Sequence, residues 1–386
     1  MRPYRSETRA HAANGVLNFP WWVPTRGRTG RLNTVAVLEI HAFLALDVDT
    51  ADALGEDMWR YIRRLLIRGK GGRIIWDAQG DESRWEAIRR LGQLRWYEND
   101  TQASGVDGAV ALSFVIPLRD FTLYEPTDFD VPAYEIESVE VQVGDDTTFD
   151  IGSAAVTIDS GNVHCIAYTR EVDGIPIGAQ WEFRTLGWQA TAETTIPISN
   201  GLLRSAWAFA RGASGGATLA AFDDHTIDGL IDQPWDERET AAYHAWAHGV
   251  SHASDTSVGG PVFGSGFGSF GAAGTPRVRA LWMPPDGVKL RDLPHVPGNL
   301  VVRATNTVAS LITGYTVVRP RSEALAQLVA REFGLGKGAF RVATKRGSRR
   351  NPQAWRGKVG QGFLPGRAAD PQDTRRPGGG QPDVGR

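Results

Sequence analysis

Most of what would mark a reactive or secreted protein is missing from this sequence. Cys165 is the only cysteine among 386 residues, which excludes an intrachain disulfide framework and a cysteine-rich zinc site. That scarcity fits synthesis in a reducing cytosol. No charge-poor apolar run reaches the roughly 20 residues that cross a bilayer as a helix. The nearest, AVALSFVIPL, has the length of a strand and ends near Pro117. The opening residues, MRPYRSETRAHAANG, lack the apolar stretch of a secretory signal, so none is expected. A formal net charge of -2 gives no overall attraction to nucleic acid.

Catalytic constellations are absent too. There is no G-x-S-x-G elbow and no H-E-x-x-H pair. Gly266, Gly268 and Gly271 have dinucleotide-loop spacing, but no strand leads into them and Pro276 follows, so the strand-turn-helix unit is not available. Gly336-Lys337 is followed by Gly338 where a phosphate loop needs Ser or Thr for magnesium. His244, His248 and His252 fall four apart, yet Gly249 interrupts the helix that would align them, and surface or half-buried histidines are the simpler reading. Glu137 and Glu140 are a carboxylate pair of a kind found in any chain this long. Cys165, inside a strand-like run, is expected to be a small buried hydrophobe. No catalytic residue, cofactor or metal is expected.

What is present is material for sheets. Hydrophobic residues make up 41% of the chain, enough for a sizeable core, while 45 Gly and 21 Pro imply many turns. Together they favour an all-β protein of short strands. In TVAVLEIHAFLALD, Leu38, Ile40, Ala42, Leu44 and Leu46 share one face, with Glu39 and His41 on the other. YIRRLLIRGKGGRIIWDAQG predicts two strands joined at Lys70-Gly71-Gly72. Ser83 and Glu86 then form a capping-box pattern for a short helix carrying Trp85, Ile88 and Leu91. GAVALSFVIPL and IESVEVQVG follow as strands, AVTIDSGNVHCIAYT reads as a hairpin turning at Asp159 to Asn162, and QWEFRT, TTIPIS, LRSAWAF, RVRALWM, GNLVVRAT and ITGYTVVR complete a second series. Trp181, Trp207 and Trp282 alternate with polar neighbours, as core residues do.

The expected organisation is an N-terminal arm at 1–32, a first β block at 33–148 and a second at 149–322. The second block holds a more helical, then glycine-rich, insertion at about 234–275. A C-terminal helix region at 323–344 and a tail at 345–386 complete the chain. Within the arm, Trp21 and Trp22 beside Pro and Arg suit contact with a neighbouring subunit or a lipid interface, or packing on their own domain. The tail has ten Lys or Arg against three Asp or Glu and few aliphatic residues. It is expected to be disordered in isolation, and Lys345, Arg346, Arg349 and Arg350 are its candidate contacts to anionic lipid or nucleic acid.

Three stretches in order then resemble the major coat proteins of corticovirus-like and related tailless, membrane-containing phages. They are TVAVLEIHAF with YIRRLLIRGKGGRIIWDAQGDESRWEAIRRL, SFVIPLRDF with AYEIESVEVQVGD, and DLPHVPGNLVVRATNTVASLITGYTVVRPRSEA. The resemblance implies two tandem eight-stranded jelly rolls and a non-enzymatic role as the major capsid protein of an icosahedral shell. It also implies a homotrimer of pseudo-hexagonal outline that joins a capsid lattice, with penton or spike proteins and internal membrane lipid or packaged nucleic acid as further partners. The protein would reside in the virion after synthesis in the bacterial cytoplasm. The alternative on residues alone is a carbohydrate-binding or carbohydrate-active β-sandwich, which would need an exposed Trp/Tyr platform beside paired carboxylates.

Overall fold

Alternation decides which face of each strand goes inward. In the strand that opens at Leu32, the side chains of Leu38, Ile40, Ala42 and Leu44 are buried while Glu39 and His41 lie on the half-exposed face, as the sequence predicts. The computed structural model describes residues 1–48, 61–91, 96–99, 108–124, 130–145, 156–174, 179–188, 193–199, 201–210, 224–235, 278–285, 287–289, 292–304 and 311–320. All belong to one unit, Met1–Val342.

In chain order the first half contributes β1 (Arg2–Arg5), β2 (Arg9–Ala10), β3 (Val16–Pro20), β4 (Leu32–Val48), β5 (Ile62–Gly69), β6 (Ile74–Ala78), helix α1 (Gly80–Leu91), β7 (Trp96–Asn99), β8 (Gly108–Pro117), β9 (Val131–Pro132), β10 (Ile136–Val143) and β11 (Val156–Val172). The second half contributes β12 (Ala179–Gly187), β13 (Glu193–Ile196), β14 (Gly201–Ala210), β15 (His225–Ile227), β16 (Ile231–Trp235), β17 (Val278–Trp282), β18 (His295–Val296), β19 (Leu300–Ala304) and β20 (Leu311–Pro320).

These strands form three sheets. The first runs β1-β11-β4-β8-β7, the middle one β17-β14-β20-β12-β6-β5-β10-β3, and the third β13-β19-β15-β16. The chain visits them in a repeating itinerary. It passes from β1 in the first sheet to β3 in the middle, back to β4, over to β5 and β6, back to β8, over to β10 and home to β11. From β12 it repeats the same path between the middle and third sheets: β13, β14, β15 and β16, β17, β19, β20. Each circuit closes eight strands into two four-stranded faces, β1-β11-β4-β8 with β3-β10-β5-β6 and then β12-β20-β14-β17 with β13-β19-β15-β16. That wiring is the jelly roll, made twice.

The two rolls share the middle sheet. Phe19, Val139, Ile67 and Trp76 stand side by side across β3, β10, β5 and β6. At its far end this row meets β12, where Trp76 pairs with Phe183 in a parallel bridge. The row faces a core that includes Leu38, Ile40, Phe114 and Cys165 from the first sheet. A second core gathers Leu203, Ala206 and Val317 of the middle sheet against Ile196, Ile227 and Val302 of the third.

Three local expectations change. The hairpin expected at Asp159 to Asn162 is instead the interior of β11, which stays paired with β4 from Val156 to Val172 and absorbs Asp159 as a bulge. Gly161 serves close packing there: a Cβ on it would stand 2.6 Å from Leu44 Cδ2. The capping box sits one turn early. Helix α1 begins at Gly80, and Glu82, not Glu86, accepts the Gln79 N–H at 2.8 Å. Ser83 lies within the helix, where its hydroxyl accepts the Trp76 indole N–H. Third, the expected arm at 1–32 contributes paired strands, with β1 and β2 on β11 and β3 on β10. The expected division near 148 and most of the 234–275 insertion lie outside the described residues, although Pro234 and Trp235 end strand β16. The 323–344 and 345–386 segments also lie outside them.

Candidate functional site

The most heavily charged buried region is where the two rolls meet. Along β14, Leu203, Ala206 and Ala208 point into the second core. Between Leu203 and Ser205 the pairing with β20 slips by one residue, so both Arg204 and Ser205 face the opposite side, as a bulge allows. Over that side lies α1, with Glu86, Arg89 and Arg90 one helical turn apart, and the turn after β8, with Asp120 and Thr122.

The bonds cross between elements. Arg89 donates to both Glu86 oxygens, at 2.9 and 2.6 Å, and to Asp120 at 2.8 Å. Arg204 reaches Asp120 at 2.9 Å, the Thr122 hydroxyl at 2.7 Å and the Pro284 carbonyl. Glu86 also accepts from Arg90, Thr316, Ser205 and the Trp207 indole. Neighbouring β4, β9 and β11 are tied in the same manner through Asp130, which holds Arg119, Arg170 and the Thr34 hydroxyl.

Three guanidiniums thus face two carboxylates, all five side chains buried. Burial by itself would push Glu86 up; the Arg89 and Arg90 charges reverse this and bring it down to about 2. Asp120 is likewise raised by burial and lowered further by Arg204 and Arg89, ending well below the usual carboxylate range. Both acids are therefore ionised at neutral pH. The surplus positive charge falls on Arg90, which lies 3.7 Å above the Trp181 ring and 5.1 Å from that of Trp76. The negative faces of those rings offset part of its desolvation. Thr122, at the edge of the network, is half-buried. The chemistry of the network is that of a clamp, holding α1 and the 118–124 turn of the first roll onto the middle sheet of the second.

The outer faces of the end sheets differ sharply from one another. On the first sheet, His41 and His164 stack with centroids 5.1 Å apart, and Phe43 stacks on His164 at 5.8 Å. Glu39 accepts from Tyr168 at 2.9 Å and contacts the His41 ring at 3.0 Å. Burial, with Arg5 and His41 adding to it, brings His164 down to about 4. Phe43 remains 49% exposed. On the third sheet the outward row is ionic: Arg303 pairs with Glu193 at 3.2 Å and with Asp228, and Asp232 is exposed nearby. Among the described residues no cluster of three or more His, Cys, Asp or Glu could hold a metal.

Of the residues singled out in the sequence, Trp21 and Trp22 are half-buried against the first core, their centroids 4.9 Å apart. Trp22 donates to the Tyr4 carbonyl, and the Trp21 backbone N–H to that of Glu137. Lys345, Arg346, Arg349 and Arg350 lie outside the described residues, as do His244, His248 and His252. Glu140 is paired with Arg68. Trp181, Trp207 and Trp282 are buried core residues, so they form no sugar-binding platform. Cys165 is fully buried, which pushes its thiol up and away from reactivity. The junction itself was missed, although a helix reading E-x-x-R-R beside two buried tryptophans was a usable signal.

No protein-family model matches the chain, and no curated protein matches its sequence. Solved structures do. A chain of the atomic structure of Sulfolobus turreted icosahedral virus aligns with a TM-score of 0.52 at 10% identity, covering 88% of this chain and 97% of that one. The crystal structure of the STIV MCP gives 0.49 at 11% identity, over 82% and 96%. The major capsid protein P2 of bacteriophage PM2 gives 0.43 at 11%, over 82% and 97%. The alignment at 0.52, nearly end to end on both chains, agrees with the strand itinerary: this chain has the double jelly-roll fold.

Proposed function

We propose that this protein is a major capsid protein, the repeating structural unit of an icosahedral viral shell, and that it acts as a homotrimer. The observation that carries the reading is the pair of complete jelly-roll circuits in one chain, matched along almost its whole length by a chain of an icosahedral virus. Two similar rolls per chain give a threefold assembly a roughly sixfold outline, which tiles a facet. The work lies in interfaces, and closed symmetry makes them recur.

In this reading the first roll runs from β1 through β11 and the second from β12 through β20. The shell belongs to a tailless phage and covers an internal membrane, with penton or spike proteins at its vertices. The basic segment at 345–386 faces anionic lipid or packaged genome. The test is light scattering on the purified full-length chain, with negative-stain imaging of the same sample. Trimers with a hexagonal outline are expected; a monomer at all concentrations would contradict the reading.

A further inference from the structure

The N-terminal strands are held to the first sheet by few side chains. Between Arg2 and Ala10 only Ser6 is buried, Tyr4 and Arg9 are half-buried, and the rest are exposed. Attachment to β11 comes mainly from the backbone ladders of β1 and β2. Ser6 adds to them: its N–H donates to the Cys165 carbonyl, and its hydroxyl accepts the Cys165 N–H at 2.9 Å. The Thr169 hydroxyl donates to the Arg2 carbonyl, and the Trp22 indole to that of Tyr4. A segment with so little apolar burial opens at low local cost. β3 differs, since it sets Leu17 and Phe19 into the first core.

Beside these strands sits His164 of β11, only 6% exposed. Its ring stacks on those of His41 and Phe43, and its Nδ1 is buried without a hydrogen-bond partner. An imidazolium carries N–H on both nitrogens, so a proton taken up here leaves a buried donor with no acceptor. The surrounding charges oppose that proton as well. β1 brings Arg5, opposite Ile166 and so on the same face. β4 brings His41, while Glu39 is engaged by His41 and by Tyr168 of β11. Opposite His41 and Glu39, β8 places the uncharged Ser113 and Val115. On β2, Arg9 is paired with Glu7. Burial, then Arg5 and His41, bring His164 down to about 4 from its ordinary 6.5.

We propose that residues 2–10 form an acid-released strap, detached from β11 when His164 takes up a proton while the rest of the first roll stays folded. Release moves Arg5 away and opens Nδ1 to water, so the proton favours the open strap. Because the closed strap holds His164 neutral, release becomes easier as pH falls below 6.5 and reaches its full extent below about 4. It uncovers the edge of β11, where the Cys165 carbonyl and N–H lose Ser6. Release in this form needs no partner and stands whether or not the chain builds a shell.

Hydrogen exchange of the full-length chain tests it, read by mass spectrometry at pH 7 and pH 5 and corrected for the intrinsic pH dependence of exchange. Peptides spanning residues 2–10 are expected to lose protection by roughly tenfold at the lower pH, as a base shifted this far gives, while β4, β8 and β10 keep theirs. His164→Gln is expected to abolish that loss and leave protection at pH 7 unchanged. Arg5→Gln is expected to weaken it, since His164 then meets one cation fewer, and this variant serves if His164→Gln does not fold. Equal protection of residues 2–10 at both pH values overturns the proposal. So does a loss that persists in His164→Gln or is unchanged in Arg5→Gln. A loss shared by β4, β8 and β10 overturns it too, because the roll would then open as a whole.

Discussion

Two sheets of this molecule have the same wiring and opposite surroundings. In the second roll, β12-β20-β14-β17 carries buried arginine, serine and threonine on its outward side, all bonded to acids brought by the first roll. In the first roll, β1-β11-β4-β8 carries histidines, a tyrosine and a half-exposed phenylalanine there. Topology therefore does not dictate what an outer face contains; what covers it does. A face covered within its own chain can hold charges that need exact partners, because those partners are always present. On the first roll's face the polar groups bond to one another instead, Glu39 to Tyr168 and to the His41 ring.

Removing whole strands of the first roll should cost most. Deleting 1–20 takes away β1, β2 and β3 together, which are two of the first roll's eight strands and a companion strand. The expected result is loss of cooperative unfolding, seen by circular dichroism, and not a free-standing shell defect. Next comes Glu86→Gln, which acts on the covered face and leaves Arg90 buried without its main anion and Arg89 with Asp120 alone. Such uncompensated charges cost about 3–5 kcal/mol, measurable as a lower urea midpoint; a shift below about 1 kcal/mol would show that the network is not the clamp.

Gly314→Ala is smaller. The new methyl would stand 2.5 Å from the Phe209 ring, which packs beside Trp207, and overpacking of this kind costs about 1–3 kcal/mol.

Acid separates the two faces more gently. Glu86 and Asp120 are depressed in the folded state, so the stability they contribute is present above pH 4.5 and is lost as pH falls toward 2. His164 is a base held neutral, so the unfolded chain takes up its proton first and stability falls between pH 6.5 and about 4. Melting temperature against pH should therefore drop in two windows. His164→Gln should flatten the upper window alone, and Glu86→Gln the lower. One common transition in both variants would contradict the assignment.

Much of the fold was legible from period-2 alternation. β4, β5, β6, β8, β10, β12, β13, β14, β17, β19 and β20 fall where the pattern puts them, because one face of each packs on a core, whereas the short strands β15, β16 and β18 carry too few alternating residues to be predicted. Failures came where pattern and pairing disagree. Ser-Gly-Asn in β11 looks like a turn, but a 17-residue partner strand holds it straight and Gly161 makes room for Leu44. Short strands at 1–20 look like an arm because their apolar residues are few, yet their hydrogen bonds go to β11 and β10. Glu86 was read as a cap because its sequence neighbours fit that motif. Besides Arg89 and Arg90 in its own helix, it bonds Ser205, Trp207 and Thr316, more than 100 residues away, and no local pattern reveals these long-range contacts.

In the proposed capsomer, three chains of two jelly rolls each build a closed ring. The most direct test is the solution mass of the full-length protein by light scattering. Three times the chain mass is the predicted result. A wild-type protein that remains a single chain across the concentration range would contradict it.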